Sequence, residues 1–561
     1  MPDEAIEARS THRDMRDDRP DRRTSSLVKT QRLAAALSAA TVLALAPVSG
    51  HAQVSDGARS SASGGEKTPA KATAGKVVKK STARRSSGSR RKALPPLRHA
   101  SPQGEYSLAS DLSGFLSARV RSGTWGVLVV SLTRGDTLYS HNADTRLLPA
   151  STMKLFTTAL AFDRLGPEHQ FTTDVLRDGG VGSDGTLTGN LILRGGGDPG
   201  LSNRFIPGDP NSPMRALARQ VAAAGVTRVH GDIVGDASAF EQQKVPDGWL
   251  ARYLDASYAQ RVSALSLNEN LLHVAIAPGK GAEKPRVVLQ PASLAFKIVN
   301  ETRTVAKSRR AKLTVAKRPD ASILVRGWIG EQSQTRVYVV VVDDPALFAT
   351  GALRQALLDE GIEVSGTVRT GESPGNAVRI ASLSSPPLAQ LANVMNRESV
   401  NHFAELIFRD AARSGDPEGI GSASAGNALL QQLMANRVGA SRDAVFAADG
   451  SGLSTLDRVT PRALVQLLSY ADRAPWSREF HASLPVAGTS EMLRNRMAAT
   501  PARGNLHAKT GTTNEVIALG GYVNASNGEL LAFSFLYNGH DRAPARETID
   551  AMGGTLAAFA R

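Results

Sequence analysis

The sequence of 561 residues contains no cysteine. This absence excludes disulfide bonds and any catalysis that depends on a thiol, and it fits an exported protein that folds without oxidation. The apolar run near the N-terminus is short for a membrane span. The apolar run at residues 33–46 has 14 residues, whereas a transmembrane helix needs about 20.

The first 52 residues have the pattern of a secretory signal. The apolar run is preceded by Lys29 and Arg32, and it is followed by Gly50 and Ala52, which stand three and one residues before a cut after Ala52. This order of positive charge, apolar run and small residues predicts a signal peptide over residues 1–52 and export to the periplasm.

Residues 53–105 contain almost none of the large apolar side chains that a folded core requires. Between residues 53 and 100 there are 12 basic and two acidic residues, a net charge of +10. Such a segment cannot bury enough surface to fold, so we expect a disordered basic linker. It is interpreted either as a solvated spacer or as a contact to an anionic cell-wall or membrane surface.

The folded part of the chain carries little of the total charge of +15, because the first hundred residues hold +11 and leave about +4 for residues 101–561. Binding of nucleic acid by that part is therefore not indicated. No cluster of histidine and carboxylate residues indicates a metal site, and no cofactor is expected.

The stretch LPASTMKLFTTALAFDRLG at residues 148–166 predicts a buried helix. Pro149 suits its first turn, and apolar residues follow at helical spacing. Ser151 and Lys154 then lie one turn apart on the same face, where an amine within hydrogen-bond reach can activate a hydroxyl. An SxxK pair alone is weak evidence, because it also arises as a helix cap with a solvated lysine.

The pattern beyond this helix divides the chain into three parts. Residues 106–172 predict a helix, a β-hairpin and the serine-bearing helix. Residues 173–380 predict short strands between Gly, Pro and Asp turns, with one or two helices, and thus a mainly β insert. Residues 381–561 return to helices and close with strands and a final helix. The fold class is therefore α+β.

Two further motifs follow the SxxK pair in order. Ser399-Val400-Asn401 stands where a loop meets a helix, and alone it could be an ordinary helix cap. Lys509-Thr510-Gly511-Thr512 stands at a strand end, with a glycine that allows close approach of a ligand or another backbone. Chance SxxK and SxN matches are expected, but an accidental KTG in the right place after them has a probability on the order of one in a hundred.

With these motifs the chain resembles the penicillin-recognising serine enzymes, and among them the D-alanyl-D-alanine carboxypeptidase/endopeptidase family, the DacB-like low-molecular-mass class C penicillin-binding proteins. Between Lys154 and Ser399 lie 244 residues, and a large insert at that point is the hallmark of this family. The resemblance covers about residues 106–561, including Asp449–Ser454. It implies a β-lactamase/transpeptidase-like serine-enzyme domain interrupted by a large, mainly β insert.

The resemblance also implies a function. The substrates would be peptidoglycan peptides that end in D-Ala-D-Ala and their cross-links, cleaved through an acyl-enzyme, and β-lactams would be inhibitors. The implied catalytic residues are Ser151, Lys154, Ser399 and Asn401, and the implied substrate-binding residues are Lys509, Thr510 and Thr512. Two alternatives remain, a β-lactamase-like hydrolase and a non-catalytic cell-wall binding protein; the sequence does not indicate an oligomeric state.

Overall fold

The computed structural model describes residues 95–415 and 419–561. The predicted signal peptide and the linker up to residue 94 lie outside these residues. Among the residues described, no helix combines the length and the apolar character needed to cross a membrane.

The described residues form ten α-helices, together with short 3₁₀ turns, of which Ala150–Thr152 carries the serine of the first motif. The helices are α1 Glu105–Ala118, α2 Met153–Leu165, α3 Ser212–Ala223, α4 Pro345–Asp359, α5 Leu388–Arg397, α6 Asn401–Ala412, α7 Ala423–Leu433, α8 Pro461–Arg473, α9 Ser477–Ala482 and α10 Arg542–Ala558.

The described residues also form 22 strands. They are β1 Thr124–Ser131, β2 Thr137–His141, β3 Thr172–Arg177, β4 Gly180–Val181, β5 Thr186–Thr188, β6 Leu191–Gly195, β7 Arg228–His230, β8 Ile233–Asp236, β9 Leu271–Ala277, β10 Arg286–Gln290, β11 Lys297–Val305, β12 Ala311–Lys317, β13 Ser322–Gly330, β14 Arg336–Val341, β15 Glu363–Val364, β16 Val368–Thr370, β17 Val378–Ser384, β18 Val445–Phe446, β19 Arg458–Val459, β20 His507–Thr512, β21 Val516–Asn524 and β22 Leu530–Asn538.

An antiparallel sheet in the order β2-β1-β22-β21-β20 forms the centre of the catalytic half. Strand β21 is buried at every position except its last, because both faces of the sheet are covered. Helices α1 and α10 pack with one face in a core that includes Leu112, Phe533 and Ile549. Helix α8 and the remaining helices of this half pack on the other face.

Helix α2 lies inside the helical layer, and ten consecutive residues from Met153 to Phe162 are buried. A helix that is buried on every side is held by its neighbours rather than by an amphipathic face. Its polar side chains are satisfied internally. The Thr157 hydroxyl donates to the Gly450 carbonyl oxygen at 2.6 Å, and the Thr158 hydroxyl donates to the Lys154 carbonyl oxygen at 2.7 Å.

Between α2 and α5 the chain builds a mainly β part with its own apolar core. Its strands form sheets in the orders β16-β8-β6-β3-β17, β15-β7-β5-β4, β10-β9-β14 and β11-β13-β12. Strands β3 and β17 pair antiparallel. This pairing brings together the two ends of the insert that the sequence predicts at residues 173–380.

The predicted linker ran to residue 105, but its last residues are hydrogen-bonded to the C-terminal end of the chain. The Gly104 amide donates to the Ala560 carbonyl oxygen at 2.7 Å and the Ala560 amide to the Pro102 carbonyl oxygen at 3.2 Å. The Ala100 amide donates to the Thr555 hydroxyl at 2.9 Å. Backbone pairing gives this short segment an order that its composition does not predict.

Candidate active site

Ser151 lies in a tight turn between the central sheet and α2. The side chain of Asn538, the last residue of β22, holds both backbone groups of Leu148, at 2.8 Å to the amide and 3.0 Å to the carbonyl oxygen. Ala150 has φ of 47°, an unfavourable value for a residue with a side chain. Gly452 packs against this residue so closely that a Cβ on Gly452 would lie 1.8 Å from the Ala150 carbonyl oxygen. The surrounding structure therefore imposes the turn that presents Ser151.

Lys154 is fully buried, and its Nζ atom contacts three hydrogen-bond partners. It lies 3.0 Å from Ser151 Oγ, 2.6 Å from Asn401 Oδ1 and 2.8 Å from the carbonyl oxygen of Ser451. The last two atoms can only accept hydrogen bonds. They take two amine hydrogens, so the third position on the nitrogen faces the serine hydroxyl.

Burial lowers the pKa of Lys154 from 10.5 to about 8, against the opposing attraction of Asp449, Glu405 and Asp457. Desolvation disfavours the charged ammonium, and the neighbouring carboxylates restore part of the charge preference. A neutral amine is therefore accessible near physiological pH. Its lone pair points at Ser151 Oγ, which then donates the hydrogen bond.

Ser399 does not act as the helix cap that its position before α6 could suggest. It has φ of 61°, and Val400 precedes the helix with no side-chain cap. The Ser399 hydroxyl instead accepts a hydrogen bond from Lys509 Nζ at 2.8 Å. Asn401, the first residue of α6, turns its amide toward Lys154, so the second motif contacts both lysines.

The third motif lies along β20, next to the Ser151 turn. A Cβ on Gly511 would lie 2.7 Å from the Pro149 carbonyl oxygen, which confirms that this glycine allows close approach of another backbone. Lys509 is fully buried, and it also donates to the Thr510 carbonyl oxygen at 2.9 Å. Burial and the charge of Lys154 hold the pKa of Lys509 well below 10.5. Lys509 thus stands behind Ser399 rather than in the open cleft.

The seven residues predicted from the three motifs are brought to one place. Ser151, Ser399, Asn401 and Thr512 line a cleft of about 260 Å³. Lys154 and Lys509 are buried behind its wall, and Thr510 is nearly buried. None of the predicted residues is separated from the others.

The insert contributes residues that the sequence did not indicate. Tyr253 and Tyr258 line the cleft, and the Tyr258 carbonyl oxygen accepts a hydrogen bond from Asn401 Nδ2 at 2.8 Å. Trp249 Nε1 donates to Asp449 Oδ2 at 2.7 Å. In the sequence, these aromatic residues have no signal that separates them from ordinary core residues.

Asp449 organises the loop that supplies the Ser451 carbonyl oxygen. Its Oδ1 accepts from the amides of Ser451 and Gly452 at 3.0 and 2.6 Å. Its Oδ2 accepts from the amides of Leu453 and Ser454 at 3.1 and 2.8 Å. The Asp449–Ser454 motif was noted in the sequence without a role, and the structure shows that its aspartate holds the loop around Lys154.

Among the residues that the structure describes, no group of three or more His, Cys, Asp or Glu side chains could hold a metal ion. The side chains joined by hydrogen bonds at the site are a serine hydroxyl, two buried amines, a second hydroxyl and an amide. This set can deliver nucleophilic attack with proton transfer.

Comparisons with known proteins show which family the chain matches. The D-Ala-D-Ala carboxypeptidase 3 (S13) family matches the chain over residues 111–559. A D-alanyl-D-alanine carboxypeptidase of Actinomadura sp. (strain R39) is 33% identical over 485 residues, which cover 83% of this chain and 88% of that protein. The D-alanyl-D-alanine carboxypeptidase DacB of Haemophilus influenzae is 26% identical over 422 residues, covering 74% of this chain and 85% of that protein.

The fold is also found among solved structures. The crystal structure of penicillin binding protein 4 (dacB) from Haemophilus influenzae aligns with a TM-score of 0.67 at 24% identity, and covers 80% of this chain and 99% of that chain. This likeness confirms the predicted fold class.

The hydrogen bond from Trp249 to Asp449 can be tested by stability measurements. Trp249→Phe removes the donor to a buried carboxylate and should lower the free energy of unfolding by about 1.5–3 kcal/mol, measured by urea denaturation. Trp125→Phe is the matched control, because Trp125 Nε1 is buried with no hydrogen-bond partner among the described residues. Equal losses in the two variants would contradict a specific contribution from the Trp249–Asp449 bond.

Proposed function

The chain belongs to the D-Ala-D-Ala carboxypeptidase 3 (S13) family, and we propose that it is a serine-type D-Ala-D-Ala carboxypeptidase and endopeptidase that acts through an acyl-enzyme. The substrates proposed are peptidoglycan stem peptides and their cross-links. The observation that carries this proposal is the buried amine of Lys154, which lies 3.0 Å from Ser151 Oγ while two carbonyl oxygens hold it in place.

In the proposed acylation step, Ser151 Oγ attacks the carbonyl carbon of the penultimate D-alanine. The lone pair of neutral Lys154 accepts the serine proton as the new C–O bond forms. Backbone amides of Ser151 and Thr512 are proposed to bind the oxyanion, and each such donor is worth about 3 kcal/mol.

The leaving amine must gain a proton before the peptide bond breaks. Ser399 is proposed to relay to this amine the proton that Lys154 took from Ser151, since the Ser399 oxygen accepts a hydrogen bond from Lys509 Nζ and its own hydrogen remains available to donate. Asn401 is proposed to hold Lys154 and to hydrogen-bond the substrate. Thr510 and Thr512 are proposed to bind the substrate side that carries the free carboxylate, and Lys509 to support this side through its hydrogen bonds to Ser399 and to the Thr510 carbonyl oxygen.

Penicillin binding is part of the proposal, because a β-lactam presents an amide carbonyl carbon to the same nucleophile. The Haemophilus influenzae fold neighbour has been solved in a complex with a β-lactam. For this chain the proposal rests on the Ser151–Lys154 pair. We also propose that the protein acts in the periplasm, since its predicted signal peptide and its proposed peptidoglycan substrate both require export.

Labelling with a fluorescent penicillin tests the nucleophile. The wild-type protein should be labelled on the peptide that contains Ser151, as read by mass spectrometry, and Ser151→Ala should not be labelled because it lacks the attacking oxygen. Its circular dichroism spectrum should be unchanged. Ser117→Ala, an exposed serine on α1, is the control and should be labelled like wild type. Label on another residue in wild type would refute the assignment.

Acylation should depend on pH through Lys154. Burial lowers its pKa to about 8, and only the neutral amine accepts a proton. The rate of acylation should therefore rise about tenfold per pH unit below the pKa and level off above it. Stopped-flow acylation between about pH 6 and pH 10 measures this profile.

A variant on α6 separates this titration from others in the site. The charge of Glu405 raises the pKa of Lys154, so Glu405→Gln should move the inflection to lower pH. Asp410→Asn, on the same helix, should leave the inflection in place. An inflection that stays unchanged in Glu405→Gln would assign the profile to a group other than Lys154.

The endopeptidase activity can be tested with cross-linked muropeptide dimers. Both reactions break the amide after a D-alanine, and both leave a carboxylate on the departing residue, so one site can perform either. Digestion by the wild-type protein should release monomeric muropeptides, separated by chromatography, and Ser151→Ala should release none. Free D-alanine without monomers would restrict the protein to carboxypeptidase activity.

A further inference from the structure

Among the described residues that line the cleft around Ser151, Arg542 is the charged one, and it is half-buried. The other lining residues are neutral, including the hydroxyl residues Ser399, Thr512 and Thr513. An adjoining pocket, which shares Tyr253 and Asn514 with the cleft, is lined by Arg252 and Glu515. Lys154 and Lys509 are fully buried, so a ligand beside Ser151 meets Arg542 as the positive charge in the lining of the cleft.

The register of the central sheet explains this position. Val516 at the start of β21 pairs with Asn538 at the end of β22. The loop after Thr512 and the loop that leads into α10 consequently lie at the same end of the sheet. Arg542 is the first residue of α10, and it reaches the cleft beside the end of the third motif.

The guanidinium of Arg542 makes no hydrogen bond or ion pair with any residue that the structure describes. Its Nε atom is buried and has no acceptor. Its charge lowers the pKa of Arg546, a residue of the same sign on the same helix. The terminal nitrogens of the guanidinium also have no partner among the described residues, and a carboxylate in the cleft that Arg542 lines would supply N–H···O bonds to them.

We propose that Arg542 binds the free carboxylate of the departing D-amino acid and is the residue that selects substrates with that group. This inference rests on the proposed function of the site. Lys509 cannot supply the direct contact in the observed arrangement, because its Nζ is engaged by Ser399 Oγ and by the Thr510 carbonyl oxygen. Lys509 holds Ser399 and the Thr510 carbonyl oxygen, and the guanidinium of Arg542, which lines the cleft, supplies the N–H donors for the carboxylate.

The test compares two peptides that share one scissile bond, an acyl-D-Ala-D-Ala peptide with a free C-terminal carboxylate and the same peptide as its C-terminal amide. The full-length wild-type protein should prefer the acid. In Arg542→Gln, kcat/KM for the acid should fall about 10- to 150-fold, the range for a hydrogen bond to a charged group, while kcat/KM for the amide stays unchanged. Arg542→Lys should retain part of the preference.

Arg546→Gln is the matched control, since Arg546 is exposed, lies one turn further along α10 and does not line the cleft. It should keep the wild-type ratio of acid to amide. Unchanged hydrolysis of the amide by Arg542→Gln shows that this variant is folded. A wild-type acid-to-amide ratio in Arg542→Gln would overturn the inference.

Binding without turnover separates this inference from the proposed function. The affinity of the acid peptide for Ser151→Ala, measured by calorimetry, should fall about 10- to 150-fold on adding Arg542→Gln, whereas that of the amide should not change. If this loss of affinity is observed but the wild type hydrolyses neither peptide, the carboxylate site is supported and the proposed peptidase function is rejected. If Ser151→Ala binds the acid peptide equally well with and without Arg542→Gln, and the wild type hydrolyses it normally, the role of Arg542 is rejected and the proposed function stands.

Discussion

The structure depends on holding the amine of Lys154 in a fixed position and shielding it from solvent. Its three partners belong to the turn before α2, to α6 and to the loop at Ser451, and they lie up to 297 residues from Lys154 along the chain. A buried lysine is tolerated only if its hydrogen bonds are satisfied. Each of these segments must therefore be in place before the lysine can be accommodated, and the nucleophile is positioned by the same contacts.

Charged groups of both signs act on this amine and around it. The carboxylates of Asp449, Glu405 and Asp457 raise the pKa of Lys154, whereas the charge of Lys154 lowers the pKa of Lys509. Burial raises the pKa of Glu405 to about 7, against the attraction of the buried Arg409. The three carboxylates thus limit how far burial can lower the pKa of Lys154. The cleft side has no carboxylate among the described lining residues, which suits an anionic ligand.

The sequence predicts the three motifs, their order and the α+β class well, because each motif combines a chemical group with a local structure that has its own signal. Contacts between residues far apart in the sequence cannot be predicted in this way, and Ser399 is an example. Its position before a helix favours a cap, yet its hydroxyl is committed to Lys509, 110 residues later. Trp249 and Tyr258 were not predicted because their partners lie 200 and 143 residues away. Residues 100–104 were expected to be disordered because pairing with the C-terminus leaves no trace in composition.

The contact between Asn401 and the insert goes to a backbone carbonyl oxygen, that of Tyr258. Every amino acid at that position would present the same acceptor, so the orientation of Asn401 is insensitive to the identity of the side chain there. That side chain is 48% exposed and forms part of the cleft wall. Mutation at this position can therefore change the shape of the wall during evolution while the amide beside Lys154 keeps its support.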